Sequence, residues 1–170
     1  MKFLGLLTTL SILTSSALQS DEAVKDQAKK ALEATGLKFE TTASGKNYSI
    51  VFTHPENRQH TVYMSLTPNR PGKLITYNLY TQVWYSKDAP DDALMRKILG
   101  RTKKLGAFYL FKDSHDTWTL RYNVKFDATD MPEIPKAEDK LVKALKDCIF
   151  FVNAVGEETD KELNGAADIQ

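Results

Sequence analysis

Three histidines, one cysteine and a scatter of carboxylates are the side chains with which this chain can do acid–base, nucleophilic or metal chemistry. His54 and His60 flank a turn with Glu56 between them, a spacing that brings a surface metal site to mind. A competent zinc site takes three or four ligands in fixed geometry. Two histidines on a turn fall short of that, so no metal centre is expected. His115 and Asp116 are adjacent, but neighbours in sequence do not easily make the orienting hydrogen bond of a triad, and no serine in a nucleophile-elbow context accompanies them. They read as turn residues. Cys148 is the only cysteine, which excludes an intrachain disulfide, a Cys-based zinc site and a CxxC redox centre. It falls on an apolar helical stripe, where a thiol behaves as a small, inert hydrophobe. Asp91 and Asp92 form a carboxylate pair, but the first turn of a helix accounts for both. There is no glycine-rich phosphate loop, and Asn47-Tyr48-Ser49 matches a glycosylation sequon at a turn and strand start. The expectation is no catalytic, cofactor or metal site, and no enzyme.

Charge narrows the partners. The chain has 170 residues with 23 Lys and Arg against 22 Asp and Glu. Residues 1–20 carry only Lys2, so without them the count is 22 against 22. Nucleic-acid binders draw most of their affinity from phosphate neutralisation and show a basic excess. No nucleic-acid partner is expected. A hydrophobic share of 42% and a charged share of 26% fit an ordinary globular domain. Its core must hold without disulfides, which roughly 150 residues can do.

The first twenty residues read as an address. Lys2 precedes an apolar run from Phe3 to Leu13, and Thr14, Ser15, Ser16 and Ala17 follow. Charged start, short apolar stretch and small-residue cleavage point make a secretory signal, cut after Ala17 or, less comfortably, Ser20. The run is too short to span a bilayer, which takes about 20 apolar residues. The expected location is the periplasm or the exterior, with an uncleaved anchor as the other outcome. The domain plan is a signal over 1–20, one domain over 21–158 and an acidic, disordered tail over 159–170.

Those side chains must be positioned by elements, and the punctuation is clear. Ser20-Asp21-Glu22 opens a first helix that Gly36 closes, with Val24, Ala28, Ala31 and Leu32 on one face. Alternating segments follow, separated by Ser44-Gly45-Lys46-Asn47, His54–Arg58 and Pro68–Gly72. Pro90-Asp91-Asp92 starts a second helix that Gly106 ends. A hairpin turns at Asp113–Asp116, and in its second strand Trp118, Leu120, Tyr122, Val124 and Phe126 share one face. A third helix is expected from about Lys136 to Val155, with a frayed tail from Gly156. The fold class is α+β: an antiparallel sheet of about five or six strands with three helices packed mainly on one face, in the order α, three or four β, α, two β, α.

The segment Leu74–Tyr85 departs from simple alternation. Ile75, Tyr77, Leu79, Val83 and Tyr85 point one way, and Leu74, Tyr80 and Trp84 the other. A sheet with helices on one face leaves its second face polar. Tyr80 and Trp84 are therefore the candidate interface residues, since Tyr and Trp combine large area with a polar handle. The competing reading is a central strand buried on both sides.

The element order, with "APDDALMRKIL" before the middle helix and "GAFYLFKDSHDTWTLRYNV" after it, resembles the YbjN-like family. The resemblance covers roughly Asp21 to Glu158. It implies the fold of type III secretion chaperones and a role as a bacterial sensory transduction regulator, with no established active site to carry over. The export signal departs from the cytoplasmic setting of many members. The expected function is an exported, non-enzymatic binding, adaptor or regulatory protein, with a protein partner or a second copy as ligand and no cofactor. The alternative is a small periplasmic hydrolase or metal-dependent enzyme with a site assembled from scattered residues.

Overall fold

The computed structural model describes residues 21–67, 75–99 and 105–164. The proposed signal, the Pro68–Gly72 turn, Leu74 and the last six residues lie outside them. Ten segments are ordered as helix α1 (Asp21–Thr35), strands β1 (Glu40–Thr41) and β2 (Asn47–Thr53), a 3-10 turn (Pro55–Asn57), strands β3 (Gln59–Thr67) and β4 (Thr76–Ser86), helix α2 (Asp92–Leu99), strands β5 (Ala107–Lys112) and β6 (Trp118–Asp127), and helix α3 (Lys140–Asn164). The strands make one antiparallel sheet in the order β1-β2-β3-β4-β6-β5. The expected α+β class holds. Among the described residues, no helix is long and apolar enough to cross a membrane.

All three helices use the same sheet face. Ile50, Val62, Met64, Tyr77, Leu79, Tyr122 and Val124 meet Val24, Ala28, Ala31 and Leu32 of α1, and Val142, Leu145, Ile149 and Val152 of α3. Tyr77 and Tyr122 are fully buried there. Each fully buried aliphatic side chain of this cluster stabilises by about 1.5–3 kcal/mol when removed from water. A smaller cluster of Val83, Ile98 and Leu120 seats α2 at one end, with Trp84, Leu94, Phe108, Leu110 and Leu163 packed on it. Asp91 caps α2, its Oδ1 accepting from the Leu94 N–H at 2.7 Å. Gly36 follows α1 with φ +73°, the left-handed geometry that ends a helix.

Two boundaries depart from expectation. α3 begins at Lys140 rather than Lys136, and it continues nine residues past Val155 to Asn164. The disordered tail over 159–170 is corrected for residues 159–164: Thr159 and Asp160 are 0% and 1% exposed. The helical stripe Val142, Leu145, Ile149, Val152 does continue past Val155, through Gly156, Thr159 and Asp160. Its chemistry switches from apolar to small and polar because the sheet beneath switches too.

Candidate functional site

Under that polar half of α3 lies a buried ionic cluster. His60 on β3 is 0% exposed, and its Nε2 lies 2.6 Å from Thr81 Oγ1 on β4. The Thr81 hydroxyl donates to the Thr61 carbonyl at 2.8 Å. A hydroxyl has one proton, so His60 Nε2–H donates to Thr81, which fixes the tautomer of the ring. Arg58 places Nη2 2.7 Å from Asp160 Oδ2 and Nε 3.6 Å from Glu157 Oε1. Lys161 reaches Glu157 at 3.0 Å, and Asn164 donates to Asp160 Oδ1 at 2.6 Å and to the Val83 carbonyl at 3.0 Å. His54 Nε2 stands 3.3 Å from Asn153 Oδ1 and 3.9 Å from Glu157 Oε2. Burial alone would raise the Glu157 carboxyl, but Lys161, His54 and Arg58 outweigh it and hold it below the usual range. Gly156 lets the helix approach: a Cβ there would overlap His60 Nε2 and lie 2.6 Å from Thr81 Cγ2.

The sequence placed His54 and His60 on a surface turn with Glu56. The structure instead buries His60 beneath α3 and supplies Glu157 and Asp160 from that helix. His60, Glu157 and Asp160 bring one donor atom each within 4.8 Å of one another, a set with metal-ligand chemistry. Arg58 already stands among them. Among the described residues two cations, Arg58 and Lys161, face two carboxylates, Glu157 and Asp160, so a divalent ion there would add charge without added counter-charge in a buried place. The cluster acts as a latch joining α3 to β3 and β4. His60, Thr81 and Asp160 are at 0–1% exposure.

The opposite sheet face carries no helix among the described residues. Tyr80 lies on it, stacked on Tyr63 with ring centroids 5.2 Å apart and planes at 22°. The Arg121 guanidinium sits 4.7 Å from the Tyr80 ring centroid and 4.6 Å from that of Phe111. The result is a ladder, Tyr63–Tyr80–Arg121–Phe111, crossing β3, β4, β6 and β5, with each member half-buried. Burial by these neighbours pushes the Tyr80 phenol above its ordinary range, against the opposing pull of Arg121. Lys125, on the same face, is exposed.

Trp84 does not share this surface. The β4–β6 register shifts between Gln82 and Trp84, so Val83 is an extra residue and Trp84 pairs with Leu120. A bulge of this kind places both residues on one side. It turns Trp84 toward Val83, Ile98 and Leu120, and Tyr85 outward at 47% exposure. The strict period-two placement of both residues is corrected for that reason. The remaining candidates are ordinary: His115 and Asp116 occupy an exposed turn held by Asp113 Oδ1, which accepts from the His115 and Thr117 N–H groups at 2.8 and 3.0 Å. Cys148 is half-buried against the main cluster, and burial pushes its thiol up to about 11. Sequence reading missed the latch because Arg58 and Asp160 are 102 positions apart, and missed the ladder because Arg121 alone looks like a solvated strand residue. The chain matches no family model and no curated protein.

Proposed function

We propose that this chain is an exported, non-enzymatic binding or adaptor domain of the YbjN-like kind, holding a protein partner on its helix-free sheet face. The Tyr63–Tyr80–Arg121–Phe111 ladder carries the reading. Half-buried Tyr and Arg side chains are the types enriched at interface centres. Their mutual stacking fixes their rotamers before binding, which lowers the ordering cost. Arg121 and Lys125 make the middle of the face cationic, so the partner surface that fits it bears carboxylates beside apolar groups. Capture from the host cell envelope tests the reading, using the parent and the double variant Tyr80→Ser, Arg121→Ser. A partner recovered with the parent and lost with the variant, while both melt at similar temperatures, supports it. The same partners recovered with both proteins contradict it.

The alternative, an enzyme assembled from scattered residues, is favoured by one observation: His54, His60, Glu157 and Asp160 converge from distant parts of the chain. Their burial and the charge balance set by Arg58 and Lys161 favour the latch.

A further inference from the structure

We infer that the chain self-associates through β5, pairing antiparallel with β5 of a second copy to make one continuous twelve-stranded sheet. Among the described residues β5 ends the strand order and pairs only with β6. Its sequence, Ala107-Phe108-Tyr109-Leu110-Phe111-Lys112, has no proline, no bulge against β6 and one charge, at its last position. Edge strands in monomers are blunted by prolines, central charges, bulges or shortness. Six residues of this composition form an unprotected template, and Tyr109 at its centre is 50% exposed.

The strand is also complementary to itself. A two-fold axis normal to the sheet keeps each face on its own side, so only residues of the same face can oppose one another. Phe108 and Leu110 pack toward α2, while Tyr109 opposes Arg121 on the helix-free face. An axis through Tyr109 sets Tyr109 against the partner's Tyr109, Phe108 against the partner's Leu110 and Ala107 against the partner's Phe111. Lys112 then falls opposite the partner's Gly106, and the two lysines stand roughly 20 Å apart along the strands, beyond the screening length. An axis through Leu110 would instead bury Lys112 against the partner's Phe108. Charge and face together favour the Tyr109 axis over the Leu110 axis. This pairing does not depend on what the open face binds.

Sedimentation velocity of residues 21–170, whose described core lies wholly within 21–164, tests it. The parent should sediment as a dimer. Tyr109→Lys and Tyr109→Glu each oppose like charges at the axis and should weaken the dimer on the order of tenfold or more. An equimolar mixture of the two variants should dimerise again. Tyr109→Cys should also form a disulfide-linked dimer on oxidation, since directly opposed residues of an antiparallel pair have Cα atoms roughly 4.5–5.5 Å apart, within disulfide reach. Tyr85→Cys, equally exposed but on β4, should not. A parent that stays monomeric at its highest soluble concentration overturns the inference. So do variants that dimerise like the parent, or a mixture that fails to recover. Tyr80→Ser, Arg121→Ser should leave the dimer intact, so loss of the partner and loss of the dimer are read separately.

Discussion

Replacing Gly156 by alanine sets two effects of opposite sign against each other. In an exposed helix interior, Gly→Ala stabilises by about 1 kcal/mol, and if α3 ended near Val155 the change would be neutral. In the observed packing the new methyl overlaps His60 Nε2 and meets Thr81 Cγ2 at 2.6 Å. His60 is fully buried and cannot swing into solvent, so the helix or the ring must shift. Overpacking of this kind costs about 1–3 kcal/mol. Loss of the buried His60–Thr81 hydrogen bond adds about 1–3 kcal/mol. Subtracting the helix gain leaves a net loss of roughly 1–5 kcal/mol. For a domain of this size that lowers the melting temperature by roughly 2–20 °C. Urea unfolding followed by circular dichroism, with its slope unchanged, would give the free-energy difference directly. A variant as stable as the parent or more stable would refute the placement of α3 on His60.

Three further outcomes follow from the same geometry. Arg58→Met leaves Asp160 buried without its cation and should cost about 3–5 kcal/mol, whereas Arg58→Met with Asp160→Leu should recover most of the loss; both are read by chemical denaturation. Because the folded Glu157 carboxyl lies below its ordinary value, its contribution is fully present above the unfolded carboxylate range, about pH 4.3, and is lost as pH falls through the lower folded value; Glu157→Gln should flatten that part of a stability–pH curve. Trp84→Ser should destabilise through the α2 cluster by about 2 kcal/mol or more, while Tyr80→Ser, which gives up its stacking on Tyr63, should cost less, about 0.5–1.5 kcal/mol, a contrast that differential scanning calorimetry resolves.

The fold was legible where hydropathy and period agree. Val24, Ala28, Ala31 and Leu32 mark α1, and Leu120, Tyr122 and Val124 mark the buried face of β6, because apolar burial writes its period into the chain. Legibility failed where burial is polar. The stripe that begins at Val142 runs on through Gly156, Thr159 and Asp160, yet a glycine, a threonine and an aspartate read as tail. They are buried because Arg58, His60 and Thr81, far away in sequence, meet them. Trp84 failed for another reason: a single extra residue in β4 rotates every later side chain by half a period, and no local residue preference announces it. Tyr80 kept its expected face because it precedes the bulge. The ladder partners of Tyr80 were hidden, since stacking of Arg121 between Tyr80 and Phe111 depends on the β4–β6–β5 strand order, in which sequence order and spatial order differ.

The helix-free sheet face is the proposed binding surface. A photo-crosslinking residue, p-benzoylphenylalanine, placed at position 80 and separately at position 150 tests it in the host. Phe150 is 43% exposed and lies on α3, on the other side of the sheet. Irradiation of intact cells should yield a discrete adduct from position 80 and none of that mass from position 150. Adducts from position 150 alone, or the same adducts from both positions, would contradict the account.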